Sequence, residues 1–317
     1  MTTVAWCEQH LPDLKGKRAL VTGAAGGLGY ETAAGLASRG AQVILADRNV
    51  EGGGAALRHL RQEVPGARAD FRAVDLADLA NVRKFAEVLN ADAQPLDILV
   101  NNAGILPPLQ RRTTTDGFEL KFGINVLGHF ALDGLLLPAL LRSAAPRVVW
   151  VSSLVHRHAK IDFDDLQAER SYAPQRAYNQ AKLACLMLAL ELDARARSAG
   201  VTLAGIAAHP GVAKTPLGDS RKGQARRKFA DRLTDAAFWL AMNVFSQPQD
   251  RGALPILYAA ASALAEPGGF YGPDGFGQMR GKPVPVKASA PALDAAQRQR
   301  LWQACEQLTG VSYEKIK

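Results

Sequence analysis

The sequence has little cysteine, little histidine and no long apolar run. Cys7, Cys185 and Cys305 are far apart among 317 residues. They are odd in number and make no metal-ligand spacing, which excludes a disulfide framework and points to a reducing cytoplasm. Six histidines without ligand spacing give no basis for metal catalysis. No uninterrupted apolar run reaches the ~18 residues of a membrane span, the longest being broken by charges or proline. The N-terminus lacks a basic region followed by an apolar core, so no secretory signal is expected and the chain reads as soluble. Acid is the scarcer charge, 30 residues against 38 basic, and the net +8 favours an anionic partner such as a dinucleotide phosphate. The basic residues are scattered except from Arg221 to Lys228, so nothing asks for nucleic acid.

What is present is a globular balance, 48% apolar and 21% charged, in a chain long enough for a sizeable core. Short apolar runs alternate with helix-like stretches. Strands are expected at 18–22, 42–47, 70–74, 97–100, 147–151 and 201–208. Helices are expected from the glycine-rich turn to about 40, then at 50–62, 80–89, 116–143 and 177–198, with Pro138 kinking or ending the fourth of these. This alternation is the pattern of an α/β doubly wound parallel sheet, a Rossmann fold covered on both faces. Residues 1–16 read as a lead-in, and one domain accounts for 12–275. Within it, 214–249 is long for a connection and is placed where a substrate lid would sit. The extension 276–317 carries a short helix near 292–308, and Trp302 points to docking rather than a loose tail.

Chemistry concentrates between 152 and 182. Ser152 and Ser153 end an apolar run, and Tyr178 and Lys182 lie four apart, one turn from each other on a helix. An unperturbed phenol, with a pKa of about 10, transfers protons poorly at neutral pH. A cation about 4 Å away stabilises phenolate by roughly 4 kcal/mol at an effective dielectric near 20. Tyr178 is thus placed to act as a general acid or base.

A nucleotide site precedes it. Thr22 to Gly29 reads T-G-x-x-x-G-x-G between a strand and a helix, where glycines let the backbone approach a pyrophosphate at the helix N-terminus. Asp47 ends the second strand, where an acid hydrogen-bonds the adenosine ribose and repels a 2′-phosphate. Arg48 follows it and could grip that phosphate, so NAD leads and NADP is the alternative. Asp75-Leu76 and Asn101-Asn102-Ala103-Gly104 follow the third and fourth strands, as turn formers or as a cofactor wall.

With these elements assembled, the chain resembles the short-chain dehydrogenase/reductase family over residues 14–275. The motifs are T-G-A-A-G-G-L-G at 22–29, N-N-A-G at 101–104, Asn125, Ser153, Y-N-Q-A-K at 178–182 and H-P-G-V-A-K-T at 209–215. D-G-F-E at 116–119, N-V-L-G-H-F at 125–130 and the separation of Ser153 from Tyr178 are most similar to its retinol-dehydrogenase-like branch. The resemblance implies a catalytic tetrad of Asn125, Ser153, Tyr178 and Lys182. In it Ser153 binds the substrate oxygen, Tyr178 moves its proton, Lys182 binds the nicotinamide ribose and favours phenolate, and Asn125 holds a relay water. It also places Gly23, Gly27, Leu28, Gly29, Asp47, Arg48, Asp75, Leu76, Asn101, Ala103, Gly104, Pro210, Gly211, Val212 and Thr215 around the cofactor. Ser152 is the alternative to Ser153 by adjacency. Asp47 departs from that branch, whose members commonly prefer NADP.

The activity expected is interconversion of a fairly apolar alcohol with its ketone or aldehyde, on a small-molecule substrate. A non-catalytic dinucleotide sensor is the competing reading, and it usually lacks one member of the tetrad. The substrate pocket would come from 106–110, the segment after Ser153, and the lid. His156 and His158 read as exposed loop residues, with substrate contact the alternative, His129 and His209 as packing or hydrogen-bonding residues, and Cys185 as core. The helix from Ala177 to Leu192 is apolar over more than one face, which suits burial in the sheet and contact with another subunit, as a homodimer or homotetramer.

Overall fold

The computed structural model describes residues 2–105, 108–213 and 246–316. Most of the expected lid, together with Leu106, Pro107, the basic run Arg221 to Lys228 and Thr215, lies outside the described residues. The strands are β1 (Arg18–Thr22), β2 (Gln42–Asp47), β3 (Ala69–Ala73), β4 (Ile98–Asn101), β5 (Arg147–Val151), β6 (Ala204–Ala208), β7 (Phe270–Pro273) and β8 (Pro283–Pro285). They form one sheet in the order β3-β2-β1-β4-β5-β6-β7-β8, parallel through β7 and antiparallel at β8. Side chains alternate between its faces. Leu20, Ile44, Leu99, Val148 and Trp150 enter one core, and Val21, Val43, Leu45, Val100 and Val149 enter the other. This is the Rossmann fold that the alternation implies.

The sheet has two strands beyond the six expected. β7 (FYGP) and β8 (PVP) are short and rich in glycine and proline, which reads as loop in a sequence; the two prolines of β8 are tolerated because it is the edge strand. The lead-in is also a helix, Thr3–His10, capped by the Thr2 hydroxyl and closely packed on Gly35 through Cys7.

Helix boundaries follow local capping. Asn49 caps Val50–Glu63 and Asp78 caps Leu79–Ala91 through side-chain oxygens. The fourth expected helix begins at Leu120, not near 116, because Asp116 instead accepts from the Leu79 N–H and Glu119 accepts from Phe122. This helical run, Leu120–Leu140, contains a π turn at Gly123–Gly128 and ends two residues past Pro138. It is long and apolar enough to cross a membrane by composition, a feature the uninterrupted-run criterion passed over. Of its most apolar 18-residue window, 83% is buried inside the protein, as in a core helix.

The helix Pro174–Ser198 begins with proline at its first position, where the missing N–H costs nothing. Its residues 180–189 are all buried within the single chain. The C-terminal helix Ala295–Thr309 covers part of it, with Arg298 bonded to Glu191 at 3.4 Å and Arg195 stacked 4.8 Å from the Trp302 ring. Trp302 also packs on Phe130 and Tyr313, and the Tyr313 hydroxyl donates to the Phe130 carbonyl. The extension therefore docks. It covers apolar surface of Pro174–Ser198 from within the same chain.

Candidate active site

Strand order reverses between β1 and β4, and the crevice at their carboxyl ends is where open α/β sheets bind ligands. A cleft of about 160 Å³ occupies it, with Gly23, Asp47, Arg48, Asp75, Leu76, Ala103 and Gly104 in its wall. A larger groove of about 570 Å³ runs past His158, Lys160, Arg176 and Asn179 and touches no member of the expected tetrad.

The glycine-rich turn is packed to its backbone. Gly23 has φ +68, and a Cβ there would stand 2.8 Å from the Ala103 Cα. A Cβ on Gly29 would strike the Gly23 carbonyl oxygen and the Asn102 amide. The helix Gly27–Ser38 that follows has no side-chain cap, which leaves its first N–H groups and the positive end of its dipole for an anion. Leu28 is buried beneath the turn. Asp47 stands at the rim. One of its oxygens accepts from the Ala25 N–H at 3.2 Å and the other from the Asn49 N–H at 2.9 Å, so the same carboxylate shapes the turn. Arg48 is exposed beside it. Asp75 closes a tight turn onto the Ala77 N–H. This cradle, with its uncapped donors and an acid at its edge, fits a dinucleotide.

The segment after β4 divides its two amides. The Asn101 side chain turns into the core and donates to both oxygens of Asp133 at 2.8 Å, so Ala103 and Gly104, not that amide, face the cleft. Burial holds the Asp133 carboxyl well above its ordinary pKa. Asn102 instead donates to the Thr22 carbonyl at 2.8 Å and clamps the glycine turn. The Thr22 hydroxyl accepts from the Asn102 and Ala103 N–H groups, both at 3.0 Å.

Asn125 lies in the π turn, a distortion often found at functional sites. Its Oδ1 accepts from the Ile105 N–H at 3.1 Å, and its buried Nδ2 has no partner among the described residues. Its carbonyl accepts from the Cys185 thiol at 3.4 Å and from His129 Nδ1 at 3.2 Å. His129 Nε2 then accepts from the Thr22 hydroxyl at 2.9 Å, and burial pushes this imidazole down to about 3. Cys185 is a core residue, its thiol raised by burial. The sequence marks Thr22 and Asn102 by motif and His129 as a packing or hydrogen-bonding residue, but not the partners that join them, although His129 stands four residues after Asn125, one turn along the same helix.

At the end of β5 the two serines separate. Ser152 is buried and donates to the Lys182 carbonyl at 2.7 Å, a structural bond, while Ser153 is half-buried. Lys182 is 7% exposed and its ammonium donates to the Val151 carbonyl at 2.8 Å. Tyr178 is half-buried one turn earlier, and the Lys121 ammonium lies 5.6 Å from the centre of its ring. His156 is not an exposed loop residue. It is fully buried, donates to the Ser153 carbonyl at 2.7 Å and meets Phe270 edge-on. His158 is exposed. His209 is buried, accepts from the Gly211 N–H, and is pushed down to about 4 by burial. Beyond Pro210 and Gly211, the Val212 N–H donates to the Met279 carbonyl at 2.8 Å and ties this segment to the turn before β8.

Comparison with known proteins agrees with this geometry. Residues 17–225 match the short chain dehydrogenase family model. The chain is 39% identical to human (Homo sapiens) retinol dehydrogenase 13 over 96% of its own length and 88% of that protein. It is 36% identical to a polyprenol dehydrogenase of Danio rerio, over 95% and 89% respectively. A solved structure of an uncharacterised protein from Mycobacterium Paratuberculosis superposes with a TM-score of 0.77 at 37% identity, covering 96% of this chain and 97% of that one. The chain therefore belongs to the short-chain dehydrogenase/reductase family, in its retinol-dehydrogenase-like branch, and is an NAD(P)-dependent oxidoreductase acting on CH–OH groups.

Proposed function

We propose that this chain interconverts an apolar alcohol and its aldehyde or ketone, with Tyr178 as general acid or base and NAD as the preferred cofactor. One observation carries the reading: Lys182 and Asn125 are both seated by hydrogen bonds at the strand ends beside the cleft, one on the Val151 carbonyl and the other on the Ile105 N–H. Ser153 binds the substrate oxygen where β5 ends, and Tyr178 gives or takes its proton. The Lys182 ammonium has three protons and Val151 takes one, which leaves donors for the nicotinamide ribose. Asn125 holds the water of a proton relay. A bound nicotinamide dinucleotide supplies or accepts the hydride.

Around that cofactor, Gly23, Gly27, Leu28 and Gly29 would take the pyrophosphate and Asp47 the adenosine ribose. Asp75 and Leu76 would meet the adenine. Ala103, Gly104, Pro210, Gly211 and Val212 would complete the wall. Asp47 supports NAD because its charge opposes a 2′-phosphate. Arg48 in the same wall supports NADP as the second reading. The apolar substrate class is supported by relatives named for retinol and polyprenol.

The test is a titration with NADH and NADPH followed by nicotinamide fluorescence, paired with Tyr178→Phe. The variant keeps dinucleotide affinity and loses nearly all turnover. Turnover comparable to the parent would sink the acid-base assignment, and tighter NADPH binding would overturn the preference for NAD.

A further inference from the structure

A second lysine stands against the proposed acid-base residue. Lys121 is fully buried, a rare state for an ammonium, whose desolvation has to be offset by partners. Its Nζ donates to the Pro174 carbonyl at 3.1 Å and lies over the Tyr178 ring, 5.6 Å from the centroid. Both contacts converge on one residue. Pro174 is four before Tyr178 on the helix Pro174–Ser198, so its carbonyl is the one that the Tyr178 N–H meets in regular α-helical bonding. A cation within about 6 Å of a ring centroid is attracted to the ring face, more strongly when desolvated.

The position is set by the packing of two helices. Lys121 and Asn125 are four apart on Leu120–Leu140. Lys121 meets Tyr178 on Pro174–Ser198, and Asn125 meets that same helix again through its carbonyl, which accepts from the Cys185 thiol at 3.4 Å, seven residues beyond Tyr178. A half-buried tyrosine turns about its side-chain torsions, and the wrong angle takes its hydroxyl away from the substrate oxygen. From these contacts we infer that Lys121 is a positioning residue, holding the Tyr178 ring by its face and the first turn of its helix by the Pro174 carbonyl. The inference rests on the acid-base reading of Tyr178 above.

Lys121→Gln keeps an amide donor for Pro174 and removes the charge over the ring. Its expected kcat is about 10-fold lower, with KM for the alcohol and Kd for the dinucleotide unchanged. Lys121→Arg, which keeps a cation for the ring face, restores most of that kcat. An unchanged kcat in Lys121→Gln overturns the inference. So does a parallel loss of dinucleotide affinity or melting temperature, which would make the lysine a folding element only. Tyr178→Phe is measured alongside. Full turnover there sinks the acid-base reading itself, whereas an inactive Tyr178→Phe beside an unimpaired Lys121→Gln sinks only the inference about Lys121.

Discussion

The Thr22 hydroxyl and His129 Nε2 lie 2.9 Å apart, joining the end of β1 to the helix that carries Asn125. Through His129 Nδ1 the link continues to the Asn125 carbonyl, and through the Thr22 oxygen it reaches the Asn102 and Ala103 N–H groups. One imidazole thus connects the cofactor turn, the cleft wall and the proposed relay residue.

That imidazole gives the fold an acid-side weakness. Burial pushes His129 from an ordinary 6.5 down to about 3, so the unfolded chain takes up a proton below pH 6.5 while the folded chain does not. Its contribution is present above pH 6.5 and is lost as pH falls toward about 3, at roughly 1.4 kcal/mol per unit. The stability difference between the parent and His129→Gln therefore shifts by about 2 kcal/mol against the parent between pH 6.5 and 5. The buried acids Asp133 and Asp193, raised by burial, act with the opposite sign but are shared by both proteins. Urea unfolding at the two pH values measures it, and an equal difference at both would count against a neutral buried His129.

Gly29→Ala tests the closeness of the cofactor turn. Its Cβ would meet backbone, the Gly23 carbonyl, so the turn has to move. Dinucleotide affinity is expected to fall at least about 10-fold, with a stability loss of about 1–3 kcal/mol from overpacking. Fluorescence titration and denaturant unfolding read the two effects separately.

Asp47→Asn removes the charge at the rim and retains an oxygen acceptor for one of its two backbone partners. The ratio of NADPH to NADH affinity should rise about 10-fold, the equivalent of about 1.4 kcal/mol. Arg48→Ala should move it the other way. A ratio that moves with neither substitution would take cofactor choice away from this corner.

Trp302→Ala measures the docking of the C-terminal extension. Trp302 is 1% exposed between Phe130, Tyr313 and Arg195. Its removal should cost about 3–5 kcal/mol of unfolding free energy. A change below about 1 kcal/mol would show that the extension adds little to the core.

Much of this protein is legible in its sequence. β1, β2 and β5 fall at the expected positions, because strands buried on both faces have continuous apolar interiors, flanked here by Arg18, Thr22, Gln42, Asp47 and Arg147. The glycine pattern and the four-residue step from Tyr178 to Lys182 mark the cleft because each depends only on local backbone geometry. Tertiary structure decided what depends on partners distant in the chain. The strand character of 270–273 came from pairing with β6, not from propensity. The start of the helix at Leu120 followed from Asp116 bonding a different helix. Asn101 and Asn102 are chemically identical neighbours, and only Asp133 and Thr22, 32 and 80 residues away, send one into the core and the other to the turn. Lys121 has no motif of its own. Its place over Tyr178 exists because two helices far apart in sequence pack side by side, a contact that no local pattern encodes.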